Sequence, residues 1–234
     1  MLPAAGQCHL WSVPVRTRPD WEVLLAPEEG ARAGAIPGGG RRNLFVTSRA
    51  AQRLVARWYT GVPARLVRIA RTCDRCGAGH GRPRVVGAGY DYSVAHTCRR
   101  VLIGVVAQGL VGVDLDTVMN PGVPERLIAR TATPDERAAL ARLPAHELPG
   151  AFTRLWSRKE AAVKLTGHGL AARLDRIGVR GDLAQPQGKP AEDWPVSPVH
   201  LLDVSVEGHV AAIASTHRIT DPAVRSLPAL ATTD

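Results

Sequence analysis

Lysine is what this sequence lacks most for a protein of its charge. Of 30 Lys+Arg residues only three are lysines, at 159, 164 and 189, so a net charge of +9 is carried almost wholly by arginine. Aromatic residues make up only 4%, which leaves few flat surfaces for stacking single-stranded bases. The four cysteines (Cys8, Cys73, Cys76, Cys98) are too few and too irregularly spaced for a disulfide scaffold in 234 residues. No apolar run reaches the roughly 18 residues of a membrane helix, and residues 1–6 lack the basic start and apolar core of a signal peptide. A cytoplasmic location and no membrane partner are therefore expected. What is present, 45% hydrophobic and 22% charged residues, is the composition of a globular protein able to bury a sizeable core. A pI near 10.2 points to a polyanionic partner: nucleic acid, a phosphorylated cofactor, an acidic protein or a membrane surface.

Along the chain, residues 8–15 read as a strand with Pro14 at an edge or end, and 16–40 as loop with a short helix, ending in Gly38-Gly39-Gly40. That triplet before Arg41-Arg42 is a weak phosphate-loop signal without the Gly-Lys-Ser/Thr ending. Ser48 is placed to cap a helix to about Tyr59, closed by Gly61, and 64–70 suggests a strand. Strands are expected at 90–96, 101–107 and 111–116, the last two joined tightly at Gln108-Gly109. Thr133-Pro134-Asp135-Glu136 is a capping box that opens a helix to about Leu143. Strands at 174–180, 199–206 and 209–215 follow, with the last pair turning at Glu207-Gly208, a Pro/Gly-rich loop over 181–198, and a loose tail after about 217. Each half runs strand, long helix, three strands (8–107, then 111–215). This predicts an α+β fold of two similar α/β halves with a cleft between them.

Three places carry candidate chemistry. In 111–116, Val111, Val113 and Leu115 alternate with Gly112, Asp114 and Asp116, so the strand period puts both carboxylates on one face. Paired carboxylates repel and are kept ionised most easily by a cation, for which Mg²⁺ suits their hard oxygens. The stretch 152–170 reads as a helix closed by Gly167 and Gly169, with Trp156, Glu160 and Lys164 on one face at i, i+4 and i+8. An exposed ion pair there would be served equally well by arginine. A compact, proton-donating ammonium would not, which marks Lys164 as a chemical candidate. Finally, Cys73-x-x-Cys76 followed by His80, with Cys98 in reserve, has a spacing that suits tetrahedral zinc. Arg71, His80 and Arg82 around flexible glycines also read as an anion-binding loop.

Gly112-Val113-Asp114-Leu115-Asp116 followed by Trp156-x-x-Lys159-Glu160-Ala161-x-x-Lys164-x-x-Gly167-x-Gly169-Leu170 resembles the signature of 4′-phosphopantetheinyl transferases, best the single-chain, surfactin-synthetase-activating type. Gly81-Arg82-Pro83 and Ser93-Val94-Ala95-His96 resemble further family steps, although Ala95 stands where serine is usual and Asp116 where glutamate is frequent. The resemblance implies two pseudo-two-fold-related halves: residues 1–109 on the coenzyme A phosphate side, 110–217 with metal and catalytic groups, and a tail at 218–234. It implies transfer of the phosphopantetheine arm of coenzyme A to a serine of an acyl or peptidyl carrier protein, releasing adenosine 3′,5′-bisphosphate. Asp114, Asp116 and Glu160 would hold Mg²⁺. Arg49, Arg71, Arg82 and His96 would grip the coenzyme A phosphates, Glu160 would act as base, and Lys164 would bind phosphate and assist the leaving group. Polyketide, peptide or fatty-acid synthases would supply the carriers, with no nucleic acid as partner and a monomer as the working unit. The competing reading is a basic, zinc-stabilised nucleic-acid-binding protein without enzymatic activity.

Overall fold

The computed structural model describes residues 1–73, 76–119, 122–167, 169, 172–188, 194–195 and 198–227. Two main sheets carry the fold. The first contains β1 (Gln7–Pro14), β4 (Asp91–His96), β5 (Arg100–Val106) and β11 (Asp221–Ser226) in the order β11-β1-β5-β4. The second contains β6 (Val111–Asp116), β7 (Ile177–Arg180), β8 (Leu183–Pro186), β9 (Val199–Val206) and β10 (His209–Ser215) in the order β6-β10-β9-β8-β7. In each sheet the first strand of its half pairs antiparallel with the last, and the last with the one before it. A small ribbon of β2 (Ile69–Ala70) and β3 (Arg84–Val85) stands apart.

The strand period of two sorts the apolar residues into layers. Cys8 and Leu10 of β1, Leu102 and Val106 of β5, Val111, Val113 and Leu115 of β6, and Ala211 and Ile213 of β10 form one buried cluster between the two sheets. The opposite face of the first sheet (Trp11, Val13, Val101, Ile103, Val105) packs on α2 (Gly40–Thr60) through Val46, Ala50, Ala51, Leu54 and Val55. The opposite face of the second (Ala212, Ala214, Leu201) packs on α5 (Leu148–Thr166) through Ala161, Ala162, Val163 and Leu165. The layers therefore run helix, sheet, sheet, helix. Of the shorter helices, α1 (Pro27–Ala35) packs against α2, α4 (Pro134–Leu140) against α5, and α3 (Glu125–Thr131) against the turn at 174–176.

Several local expectations hold. Gly167 ends α5 in the left-handed region, and the Thr133/Glu136 capping box starts α4, although that helix stops at Leu140 rather than Leu143. Glu207 and Gly208, both at positive φ, make the two-residue turn of the β9–β10 hairpin. Leu170 of the helix-closing motif lies outside the described residues.

Other expectations are corrected. β5 and β6 do not form a hairpin: β1 and β4 already flank β5, so the chain crosses at 107–110 into the second sheet. α2 begins at Gly40, a full two turns before Ser48, with Gly39 at φ 100 as its N-cap. Residues 64–70 form a single 3₁₀ turn at Ala64–Leu66 and then only the two residues of β2, while 16–40 hold a 3₁₀ segment (Pro19–Leu24) as well as α1. Leu174–Arg176 is also a 3₁₀ turn, and β8 lies within the stretch expected as loop from 181 to 198, of which residues 189–193 and 196–197 lie outside the described residues. α3 had no forerunner in the sequence reading.

The residues after 217 are no loose tail up to Ser226. β11 pairs parallel with β1, so β1 is a central strand and Pro14 sits at its end rather than at a sheet edge. Arg225 bonds His9 Nε2 at 2.9 Å and lies over the Trp11 ring, and Ile219, 8% exposed, joins the cluster between the sheets. Ile219→Ala is expected to cost about 2–4 kcal/mol in urea unfolding, the range for a truncated core isoleucine. An unchanged midpoint would return this segment to the status of a tail.

Candidate active site at the seam of the two sheets

β4 and β6 are the facing edge strands of the two sheets, and side chains join them in place of a backbone ladder. Asp91 Oδ2 accepts from Val111 N at 2.7 Å, and Ser93 Oγ accepts from Val113 N at 3.1 Å. Arg82, buried beside them, donates to Asp91 and to the Val111 carbonyl. A cleft of about 490 Å³ opens along this seam. Arg49, Arg71, Arg82, His96 and Lys164 all line it, so five residues nominated from sequence as phosphate contacts meet at one cleft.

On the β6 side the geometry follows from Gly112. A Cβ at this position would lie 1.9 Å from the Ala161 carbonyl oxygen and 2.6 Å from Leu165 N, so α5 rests directly on the β6 backbone. The same face of β6 carries Asp114 and Asp116, and α5 presents Glu160 and Lys164 to it. Lys164 Nζ donates to Asp114 Oδ1 at 2.7 Å, rather than serving as half of an ion pair on a solvated helix face. Asp114, 6% exposed, is not a surface carboxylate, and its Oδ2 is buried without a hydrogen-bond partner. Glu160 is held above the ordinary carboxylate range, first by burial and then by the negative charge of Asp114, with Lys164 opposing. Burial and Asp114 push Asp116 up in the same way, against the hydrogen bond from Thr117 N to Asp116 Oδ1. The three carboxylates are a loose set, more open than a closed ligand cluster. Hard oxygen donors, an orphaned buried carboxylate oxygen and mutual repulsion together fit a divalent cation such as Mg²⁺.

The N-terminal wall is strongly cationic. Glu29 of α1 lies among Arg53 (2.7 Å), Arg49 (3.5 Å) and Arg71 (3.7 Å), so one carboxylate serves three guanidinium groups. Burial, followed by the charge of Arg71, brings Arg49 down to about 10, and burial lowers Arg71 as well. His96 stands at the end of β4 with its pKa held below the usual value, first by desolvation at the cleft wall and then by Lys164 and Arg49.

Sequence reasoning missed a stripe on α2. Arg41, Phe45, Ser48, Arg49 and Gln52 follow helical spacing and face the cleft together. The signal was present, but starting the helix at Ser48 hid it and left Arg41 without a role. Arg42 turns away, paired with Glu22 at 2.8 Å. Lys159, the other lysine of α5, is fully buried on a different face. Its ammonium is satisfied by Glu136 (2.5 Å), the Thr131 carbonyl (2.7 Å) and the Leu174 carbonyl (3.0 Å), so its role is to tie α5 to the α4 cap.

Residues 110–214, which hold β6, α5 and all four acidic and lysine candidates, match the model of the 4′-phosphopantetheinyl transferase superfamily. A putative 4′-phosphopantetheinyl transferase of Synechocystis sp. is 29% identical over 212 residues, covering 86% of this chain and 82% of the relative. The 4′-phosphopantetheinyl transferase HetI of Nostoc sp. is 27% identical over 219 residues, covering 90% and 88%. The chain is an enzyme of the 4′-phosphopantetheinyl transferase class. The reading as a nucleic-acid-binding protein without enzymatic activity is thereby set aside. As a transferase of this class, the chain has a mixed α+β fold, and no helix among its described residues is long and apolar enough to cross a membrane.

Proposed function

We propose that the chain transfers the 4′-phosphopantetheine arm of coenzyme A to a serine hydroxyl of an acyl or peptidyl carrier protein, releasing adenosine 3′,5′-bisphosphate. One observation carries this reading. A cleft walled by Arg49, Arg71, Arg82 and His96 meets, at Lys164, a buried Asp114 that has one oxygen on the lysine and the other without a partner. A polyphosphate seated along the cationic wall would bring its anhydride to that junction. The shared strand order of the two sheets, each backed by one long helix, supports the two-halved, surfactin-synthetase-activating type with pseudo-two-fold related halves.

Asp114, Asp116 and Glu160 would hold Mg²⁺, which supplies charge neutralisation at the pyrophosphate oxygens. The chain's own groups account for the proton movements. The serine oxygen bonds to the phosphorus that carries the pantetheine arm, and the phosphoanhydride bond on its far side breaks. Glu160, on the same face of α5 as Lys164, would take the serine proton, its basicity raised by burial and by Asp114. Lys164, bonded to Asp114, can donate a proton to the departing phosphate, as a guanidinium effectively cannot. The positive wall neutralises the bisphosphate that leaves, and the net charge of +9 would steer an acidic carrier toward the cleft.

Intact-mass spectrometry of an apo carrier protein incubated with this protein, coenzyme A and Mg²⁺ tests the reading. The expected result is a gain of one phosphopantetheine, abolished by excess chelator and absent from a carrier whose acceptor serine is alanine. No gain on several unrelated carriers, with a folded enzyme, would sink the reaction. A gain indifferent to chelator would sink the metal assignment alone.

A further inference from the structure

Apart from Arg71 and Arg82, the loop between β2 and β3 takes no part in the chemistry above, yet it holds a second set of donor groups. Its ends are pinned by the ribbon pairs Ile69–Val85 and Ala70–Arg84. Inside it, Gly81 N bonds the Arg71 carbonyl at 2.7 Å, Cys73 N the Ala78 carbonyl at 2.8 Å, and Gly77 N the Cys73 carbonyl at 2.9 Å. Gly77, at φ 72, turns the chain after Cys76 so that the Ala78 carbonyl returns to Cys73 N, a conformation that a residue with a Cβ adopts only under strain. Cys73 Sγ, Cys76 Sγ and one ring nitrogen of His80 all lie within 4.8 Å of one another, with Cys76 Sγ 3.0 Å from His80 Nε2. Neither cysteine is in a disulfide. No other three His, Cys, Asp or Glu side chains come together this closely among the described residues.

We propose that this loop binds one zinc ion through Cys73 Sγ, Cys76 Sγ and His80, with water in the fourth position. Metal–sulfur bonds of about 2.3 Å and metal–nitrogen bonds of about 2.0 Å place tetrahedral neighbours roughly 3.5–3.8 Å apart, a separation reached by small side-chain rotations from the present spacing. Soft thiolates with imidazole select zinc over magnesium or calcium, so this site is chemically distinct from the carboxylates on β6 and α5. Two thiolates cancel the charge of the ion, so the strongly positive protein does not repel it. The loop has little apolar core of its own, since Cys76 through His80 are all exposed. A metal cross-link supplies the rigidity that packing does not. It would also brace the cleft wall, because His80, Gly81, Arg82 and Pro83 line the cleft.

The test uses the untagged full-length chain, purified without chelator and analysed by inductively coupled plasma mass spectrometry. The wild type is expected to carry one zinc per chain, and Cys76→Ser and His80→Ala less than about a tenth of that. After removal of the metal, equimolar Co²⁺ should produce a thiolate-to-cobalt charge-transfer band that Cys73→Ser lacks. Amides of 71–83 should exchange with solvent at least about tenfold faster without metal, while those of α5 do not change. Absence of zinc together with absence of the cobalt band would overturn the proposal. So would zinc retained by the double variant Cys73→Ser/Cys76→Ser, or a mass two hydrogens low that shows a Cys73–Cys76 disulfide. None of these outcomes bears on carrier modification, which the mass gain on the carrier reports separately.

Discussion

Asp114→Asn is expected to lower kcat/KM for carrier modification by about 10³-fold, a loss of roughly 4 kcal/mol of transition-state stabilisation. The substitution is chosen for what it keeps. Asn retains the oxygen that accepts from Lys164 at 2.7 Å, so the lysine stays placed and the side-chain volume is unchanged. What disappears is the negative charge and the carboxylate oxygen that is now buried without a partner. Removing that charge also relieves repulsion with Glu160 and Asp116, both of which Asp114 pushes toward protonation. The thermal midpoint should therefore hold or rise. Asp114→Ala should lose as much activity but also strand the Lys164 ammonium, which makes it the less clean variant. Kinetics across a Mg²⁺ titration, with melting curves alongside, measure both quantities. Near wild-type turnover in Asp114→Asn at every Mg²⁺ concentration would remove Asp114 from the metal site.

Gly112→Ala should have the larger structural effect. The new Cβ would sit 1.9 Å from a backbone oxygen of α5 and 2.6 Å from a backbone nitrogen, contacts that no rotamer relieves. The helix must move off β6 by more than an ångström, opening the buried layer of Ala161, Ala162 and Leu165. A cost above about 4 kcal/mol is expected in urea unfolding, in the range reserved for such backbone and packing clashes. Any protein that still folds should lose about 10²-fold in kcat/KM, because the shift carries Glu160 and Lys164 away from Asp114. Gly150→Ala is the control. It lies in the same helix with nothing within 4 Å of the added carbon, so it should be neutral or stabilising by a few tenths of a kcal/mol. If the two variants unfold at the same urea concentration, β6 and α5 are not in backbone contact.

The division between what was legible and what was not follows the range of the interactions. Alternation along 111–116, the i, i+4, i+8 spacing of Trp156, Glu160 and Lys164, the Thr133 capping box and the Glu207-Gly208 turn are each written within a few residues. Local sterics and hydrogen bonding decide them, so the sequence alone determined these elements and the faces on which their charged groups stand. It also marked Arg49, Arg71, Arg82, His96 and Lys164, which the fold brings to one cleft. Only the tertiary structure decided that β6 leaves its sequence neighbour β5 to pair with β10, and that β11 returns across more than a hundred residues to β1. It likewise decided that Lys164 pairs with Asp114 while Lys159, five residues earlier, is buried under Glu136, and that Glu29 is set among three arginines. Strand partners and buried ion pairs depend on which surfaces remain open once the rest of the chain has packed, and no window of neighbouring residues contains that information.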